Sequence, residues 1–372
     1  MMSKKIKICW VTATYFLDVD LPVVPNLMDD FEIDWYIVTS AKLAKSDSDY
    51  IRSKTQRQFS INISEGKFYS YKLYAFYRKL IREIASKEYD WYYFDISDFF
   101  FLFPLIKKYL DPDRVTIATH NVSVPKGARL PLLAKFSMRY ILNNFCHFQV
   151  FSKNQRSVIV EKTKNSDVFL CPLMLKDYGP VTHVETKGIT RFLFFGNIIP
   201  YKRLDLLLEA SNILADKGIK NFSIDIAGYC RPEVWKEKYE PLIRYPELIH
   251  ADIRRIPNEK VGEFFGKNDY FVMPYQDIAQ SGAMTVALNY NMPIIASNLD
   301  TFREFITHKK DSYLFPTGNV EELAIAMEWA INNTETDYYT LKDNLKNMVD
   351  EVLSEQKILN NYKQYFRSCL NA

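Results

Sequence analysis

Residues 269–298 read DYFVMPYQDIAQSGAMTVALNYNMPIIASN, and the order of residue types describes one unit of a parallel sheet. The apolar run ending at Met273-Pro274-Tyr275 has the length and the Phe, Val and Tyr content of a buried strand. A polar loop follows, and Gln280-Ser281-Gly282 opens a helix that leads to a second apolar run from Pro293. The first amides of such a helix have no carbonyl partner. With a serine hydroxyl and a side-chain amide beside them they form a neutral cradle for an anion. Ser281 as a plain N-cap accounts for the same spacing. The two readings are compatible, because loops at the carboxyl ends of parallel strands are where such sheets bind ligands.

Upstream, residues 191–210, RFLFFGNIIPYKRLDLLLEA, repeat the scheme as a buried strand, a turn at Gly196 and a helix with Leu206, Leu207 and Ala210 on its apolar side. Glycine lets backbone amides approach a ligand, and Lys202 near the helix start can set a positive charge against phosphate. An ordinary strand–turn–helix with a solvated Lys-Arg pair is the competing explanation. The alternation continues in both directions. The first half has candidate strands at 6–13, 33–39, 91–96, 115–119, 148–152 and 168–172, and the second at 191–196, 222–227, 248–251, 270–274 and 293–297. Each set suffices for one doubly wound sheet. Residues 176–190, KDYGPVTHVETKGIT, are polar and lack an apolar period. The expected division is therefore a Rossmann-like domain over 1–176, a hinge over 177–190, a second Rossmann-like domain over 191–352, and a helix over 353–372 packing back towards the first domain.

A chain of 372 residues with 48% hydrophobic and 25% charged residues is a folded, soluble type large enough for two domains. The five cysteines are scattered, with no CxxC or Cys/His ligand spacing, which predicts a reducing cytoplasm and no structural zinc. The opening MMSKKIKICWVTATYF has basic residues before an apolar stretch, but Thr12, Thr14 and Asp18 interrupt it, so it reads as a first strand and not a signal peptide. No apolar run is long enough to span a membrane. The net charge of +3 conceals an uneven split, since residues 1–177 hold roughly seven more basic than acidic residues.

Taken together, FGNIIPYKRLDLLLEA (195–210), IDIAGY (224–229), IRRIPNEKVGEFFGKNDYFVMPY (253–275) and QSGAMTVALNYNMPIIAS (280–297) resemble, in order, the C-terminal domain of GT-B glycosyltransferases, near glycosyltransferase family 4. The similarity covers about residues 190–332. It implies two Rossmann-like domains facing across a cleft, with C-terminal helices, and a nucleoside-diphosphate sugar as donor. It also implies residue roles. Lys202 would bind the donor diphosphate behind the turn at Gly196 and Asn197, and Tyr275, Gln280, Ser281 and Gly282 would lie along the loop that meets diphosphate and sugar. Arg254, Arg255 and Ile256 would lie along the nucleobase. His120, after the strand VTIATHN (115–121), matches the histidine that faces the donor sugar, and a satisfied strand-end histidine is the alternative. The sequence departs from the family where Asn197 replaces an arginine and where two glutamates seven residues apart give way to the Asp277-Ile278-Ala279 stretch and Ala287.

Three Asp-x-Asp triplets, at 18–20, 47–49 and 111–113, are read as incidental, the second as a polar loop and the third as a turn. No metal ion and no cofactor is expected. GxSxG, GxxxxGK[ST], HExxH and GxGxxG are absent, and a pI near 8.3 is modest for nucleic-acid binding. The stretches FYSYKLYAFYRKLIREI (68–84) and ARLPLLAKFSMRYIL (128–142) mix cations and aromatics at helical spacing. They suit an anionic membrane surface, or are core-facing helices with solvated outer faces. The reading that joins these features is a cytoplasmic glycosyltransferase, peripheral on the inner membrane face, acting on a glycan or lipid-linked saccharide acceptor in surface polysaccharide synthesis. Retention of configuration and metal independence are implied by the resemblance. A non-catalytic sugar- or nucleotide-binding partner protein of the same fold is the rival.

Overall fold

The computed structural model describes residues 5–67, 69–98, 100–123, 130–181, 188–333 and 337–370. Phe68 and residues 128–129 of the two basic aromatic stretches, and residues 182–187 of the polar linking segment, lie outside the described residues. The chain forms two compact units, one of Met1–Met174 with Glu355–Ala372 and one of Leu175–Ser354.

In the first unit the strands are β1 (Lys7–Ala13), β2 (Glu32–Ser40), β3 (Ser60–Ser64), β4 (Trp91–Asp95), β5 (Val115–Ala118), β6 (His147–Val150) and β7 (Asp167–Leu170). They form one parallel sheet in the order β3-β2-β1-β4-β5-β6-β7, so the winding direction reverses between β1 and β4. The sequence predicts six of these strands. The seventh, β3, is a short edge strand, SINIS, whose serines and asparagine leave no continuous apolar run to detect. On one face Leu73, Tyr77, Leu80, Ile81 and Ile84 of the Tyr71–Ala85 helix pack with the Leu102–Tyr109 and Pro131–Asn144 helices.

The opposite face is closed by the last helix, Glu355–Ser368. Its buried residues Ile358, Leu359, Tyr362, Tyr365 and Phe366 recur at helical spacing, and they join Trp10, Phe31, Trp35 and Tyr93 in one cluster. Polar tips are satisfied inside it. Tyr365 Oη shares a 2.7 Å hydrogen bond with Thr116 Oγ1, and Gln149 Nε2 donates to Tyr362 Oη at 2.6 Å. At the rim Lys363 and Arg367 both pair with Asp30, at 2.7 and 2.8 Å.

The second unit has β8 (Thr190–Phe195), β9 (Phe222–Ala227), β10 (Ile249–Asp252), β11 (Tyr270–Met273), β12 (Ile294–Ser297) and β13 (Tyr313–Phe315), in the parallel order β10-β9-β8-β11-β12-β13. Here the reversal falls between β8 and β11. The three-residue edge strand β13 is the one not expected. The Leu204–Asp216, Asn258–Lys267, Gly282–Asn289 and Val320–Asn333 helices enclose a single core. The architecture is thus α/β with two Rossmann-like sheets and C-terminal helices.

One local expectation is overturned. Asp47-Ser48-Asp49 is not a polar loop but part of the Ala44–Lys54 helix, where Asp47 accepts hydrogen bonds from Thr14 and Thr39. Those two hydroxyls come from distant segments, so the local polarity of the triplet did not reveal the helix. Asp111-Pro112-Asp113 is the turn predicted, with Asp111 accepting from the Asp113 amide at 3.1 Å. Among the described residues no helix is long and apolar enough to cross a membrane.

Candidate functional site

The carboxyl ends of β8 and β11, the switch point of the second sheet, are followed by Gly196 and by Pro274-Tyr275. Gly196 has φ 101°, and the chain then makes a tight Pro200–Lys202 turn before Arg203, at φ 50°, starts the Leu204–Asp216 helix. The Gln276 amide donates to the Tyr201 carbonyl at 2.8 Å, tying this turn to the loop after β11. Lys202 is directed inward. It is 8% exposed, its Nζ lies 3.4 Å from the Phe195 carbonyl oxygen, and it stands 5.3 Å from the centroid of the Tyr275 ring. Among the described residues no carboxylate lies within ion-pair distance of it. Burial pushes its pKa down to about 8. An ammonium has three donors, and one carbonyl and one ring face leave it suited to an anion.

Close approach of two backbones prepares this place. The Gly196 amide donates to the Ala227 carbonyl at 2.9 Å, and a Cβ on Gly228, whose φ is 152°, would stand 1.9 Å from the Gly196 oxygen. Glycine at 228 is therefore a steric necessity.

Ser281 is the N-cap of the Gly282–Asn289 helix, its Oγ accepting from the Met284 amide at 3.2 Å. The loop carrying Gln280 is anchored by Thr301 Oγ1, which donates to the Ile278 carbonyl at 2.9 Å. A residue that sequence reading did not single out also arrives here. The Nζ of Lys176 lies 3.5 Å from the point where a Cβ would stand on Gly282. No local spacing announces Lys176, because it precedes the sheet and reaches the helix only through the tertiary fold. Neighbouring Tyr178 is fastened to the same unit, its amide donating to Tyr290 Oη at 3.0 Å.

The remaining positions of the second unit are more dispersed. Arg254 and Arg255 follow β10, two strands away from β8, and Arg254 is held by Asp252 at 2.7 Å. Ile256 packs against the core, and Asn197 is exposed. Ala287, where the family's second glutamate would fall, is fully buried, and Asp277 is exposed. The structure brings Gly196, Lys202 and Tyr275 into direct proximity, and Lys176 beside Gly282.

In the first unit His120 follows β5 and is buried, with Nε2 2.8 Å from Oδ1 of Asp95 at the end of β4. Its ring is stacked between Phe16, at a centroid distance of 3.7 Å, and Phe151, at 4.5 Å. Burial lowers the imidazole pKa to about 3 and raises that of the Asp95 carboxyl. Asp20 is buried in the same region, accepting from Trp10 Nε1 at 2.9 Å and from Thr12 Oγ1. Asp95 and Asp20 were not recognised from sequence, since only the side-by-side placement of β1, β4 and β5 in the sheet brings them near His120.

The outer side of the Tyr71–Ala85 helix carries a shallow groove of about 320 Å³ lined by Tyr71, Tyr74, Ala75, Arg78, Lys79 and Arg82. On the Pro131–Asn144 helix Leu132 and Phe136 are each 67% exposed.

Comparison with known proteins agrees with this fold. Residues 189–333 match the family model described as "Glycosyl transferases group 1". An uncharacterized glycosyltransferase of Haemophilus influenzae is 24% identical over 204 residues, spanning 54% of this chain and 55% of that protein. Among solved structures, a glycosyltransferase from Rickettsia africae superposes with TM-score 0.79 at 13% identity, covering 99% of both chains. Sucrose-phosphate synthase from Thermosynechococcus elongatus gives 0.75 at 13% identity, covering 98% of this chain and 99% of that one. Anabaena HepE, solved in complex with UDP-glucose, gives 0.73 at 10% identity, covering 98% and 100%.

Proposed function

We propose that this chain, whose residues 189–333 match the family model described as "Glycosyl transferases group 1", moves a sugar from a nucleoside-diphosphate sugar to a hydroxyl of a glycan or lipid-linked saccharide. One observation carries the reading: Lys202 is a buried ammonium at the sheet's switch point, directed at the turn formed by Gly196, with no carboxylate among the described residues to neutralise it. Burying a charge without a partner is costly, and a ligand diphosphate supplies the partner. The first amides of the Gly282–Asn289 helix add donors for the second phosphate, so the departing diphosphate is stabilised without a metal ion. UDP is the nucleotide bound by Anabaena HepE, which supports a uridine donor here. Retention of anomeric configuration rests on the family resemblance.

His120 serves the sugar in this reading, and Arg254, Arg255 and Ile256 serve the base. The cationic, aromatic outer side of the Tyr71–Ala85 helix supports work at an anionic inner membrane surface, where a lipid-linked acceptor of a surface polysaccharide would be presented. The replacement of the family's acidic position by buried Ala287 favours a second reading, a binding protein that holds nucleotide sugar without transferring it. Incubation of the full chain with a panel of nucleotide sugars and saccharide acceptors, with release of nucleoside diphosphate as readout, tests both. Turnover supports the transferase, tight binding without turnover the second reading, and failure to bind any nucleotide sugar removes both.

A further inference from the structure

We infer that Tyr229 is the residue on which the nucleobase of the donor stacks, a recognition role within the second unit that no motif of the sequence assigns. The inference rests on the reading of Lys202 as the diphosphate ligand, and it names what receives the other end of the same nucleotide.

Tyr229 follows β9 at the carboxyl edge of the second sheet, beside the turn that carries Lys202. Backbone pairing continues past the end of the strand. The Ile198 amide donates to the Tyr229 carbonyl at 2.9 Å, and the Gly228 amide donates to the Asp252 carbonyl, at the end of β10, at 3.1 Å. The backbone at Tyr229 is thereby fixed between β8 and β10. A chain of close approaches leads to it from the lysine. Lys202 Nζ stands 2.8 Å from the Cβ point of Gly196, and a Cβ on Gly228 would stand 1.9 Å from the Gly196 oxygen. Neither glycine raises a side chain over this part of the edge. Beyond Tyr229 the chain turns inward again at Cys230, which is 3% exposed.

The Tyr229 side chain is 50% exposed, and among the described residues it stacks on no other ring and its hydroxyl has no hydrogen-bond partner. A lone exposed aromatic is ordinary on a protein surface, so its place decides the matter. Sheets of this kind bind nucleotides across the carboxyl ends of their strands near the reversal, here between β8 and β11. Neighbouring strands are about 4.8 Å apart, so the step from β8 to β10 covers roughly 10 Å, the reach of a ribose and base from their diphosphate. Tyr229 stands in the middle of that span. Arg254, at its far end, is turned onto Asp252 through two hydrogen bonds, at 2.7 and 3.1 Å, and Ile253 and Ile256 pack against the core. The ring-sized apolar contact therefore falls to Tyr229. Stacking takes the ring and the base out of water together, and because every base has a π face it supplies affinity for a nucleoside without choosing the base.

Calorimetric titration of the full chain with UDP, ADP and GDP, and with ribose 5-diphosphate and pyrophosphate as base-free probes, tests the assignment. Tyr229→Ala is expected to raise the Kd of each nucleoside diphosphate that the wild type binds by roughly 5- to 100-fold, the range for stacking one base on an aromatic ring. The base-free probes should bind both proteins within about twofold of each other. Tyr229→Phe, which keeps the ring, should stay within about threefold of wild type. With turnover as readout, Tyr229→Ala should raise the donor KM by the same factor and leave kcat within about twofold, since stacking is made equally in ground and transition states. An unchanged Kd in Tyr229→Ala, an equal loss in Tyr229→Phe, or an equal loss with ribose 5-diphosphate, which would put the ring on the ribose, overturns the inference and leaves the donor reading standing. A wild type that binds no nucleoside diphosphate removes the donor reading and the inference with it. Should Tyr229→Ala fail to fold, Tyr229→Gln, which also lacks a π ring, carries the same expectation.

Discussion

The Nζ of Lys202 lies 2.8 Å from the point at which a Cβ would stand on Gly196. The glycine therefore reserves room for the ammonium, besides supplying a turn at φ 101° that side chains resist. Gly196→Ala is expected to cost about 1–3 kcal/mol, the range for strain of this kind, and to weaken nucleoside-diphosphate binding by displacing Lys202. Gly228→Ala should be worse. Its Cβ would meet the Gly196 carbonyl at 1.9 Å, and backbone cannot swing aside as a lysine can. Urea unfolding of both variants, with diphosphate titration of the folded ones, checks the order.

Lys202 makes binding depend on pH. Its pKa in the free protein is held down to about 8 by burial, and a bound diphosphate favours the charged form. Affinity should be full below pH 8 and decline as pH rises above it. Lys202→Met should lower affinity at pH 7 by about 1–3 kcal/mol and flatten this decline. Calorimetric titration between pH 6.5 and 9.5 measures both, and an unchanged pH dependence in Lys202→Met would remove the lysine from the site.

The same residue has the opposite effect on folding. Because the folded pKa lies below the unfolded value of 10.5, the charged lysine penalises the native state fully below pH 8, and the penalty is relieved between about 8 and 10.5. Lys202→Met should thus be more stable than wild type at pH 7 in the absence of ligand, with the gap closing towards pH 10.5. A variant less stable at pH 7 would contradict the assignment of this lysine as an unsatisfied charge. Loss of binding with gain of stability is a signature that a structural lysine would not produce.

The last helix completes the first unit. Tyr362→Ala removes a fully buried ring from the cluster containing Trp10 and leaves Gln149 without its acceptor, so a loss of about 3–5 kcal/mol is expected. Tyr365→Phe keeps the packing and deletes one hydrogen bond to Thr116, for about 1 kcal/mol. Hydrogen exchange should show the loss in β1, β4 and β5, not in the second sheet.

Arg78, Lys79 and Arg82 lie together on the outer side of the Tyr71–Ala85 helix. Replacing all three with Glu should abolish sedimentation with anionic vesicles while leaving the thermal midpoint near that of wild type, each cation being worth about 1 kcal/mol near such a surface. Binding of the wild type should fall with added salt. Equal wild-type affinity for neutral and anionic vesicles would remove the membrane reading.

Much of the second sheet was legible because its signals are local. A buried strand, a glycine turn and an N-capped helix each occupy a few consecutive residues, as in 191–210 and 269–298, and β8, β11 and β12 fall within a residue or two of their predicted positions. Edge strands β3 and β13 escaped because a strand paired on one side needs neither length nor an apolar run. The helical spacing of Ile358, Leu359, Tyr362, Tyr365 and Phe366 was readable as amphipathic, but the aromatic cluster it enters was not.

The sequence by itself determined the alternation of strands and helices, the glycine at 196, the lysine at 202 and the Ser281 cap, because each depends on backbone preference or on neighbours within one turn. Only the tertiary structure decided that Lys202 is buried with no carboxylate beside it among the described residues, that Lys176 stands beside Gly282, that Gly228 must yield to the Gly196 carbonyl, and that Asp95 holds His120. Those relationships join residues from different strands. Sheet order and register create them, and burial gives them their electrostatic consequence.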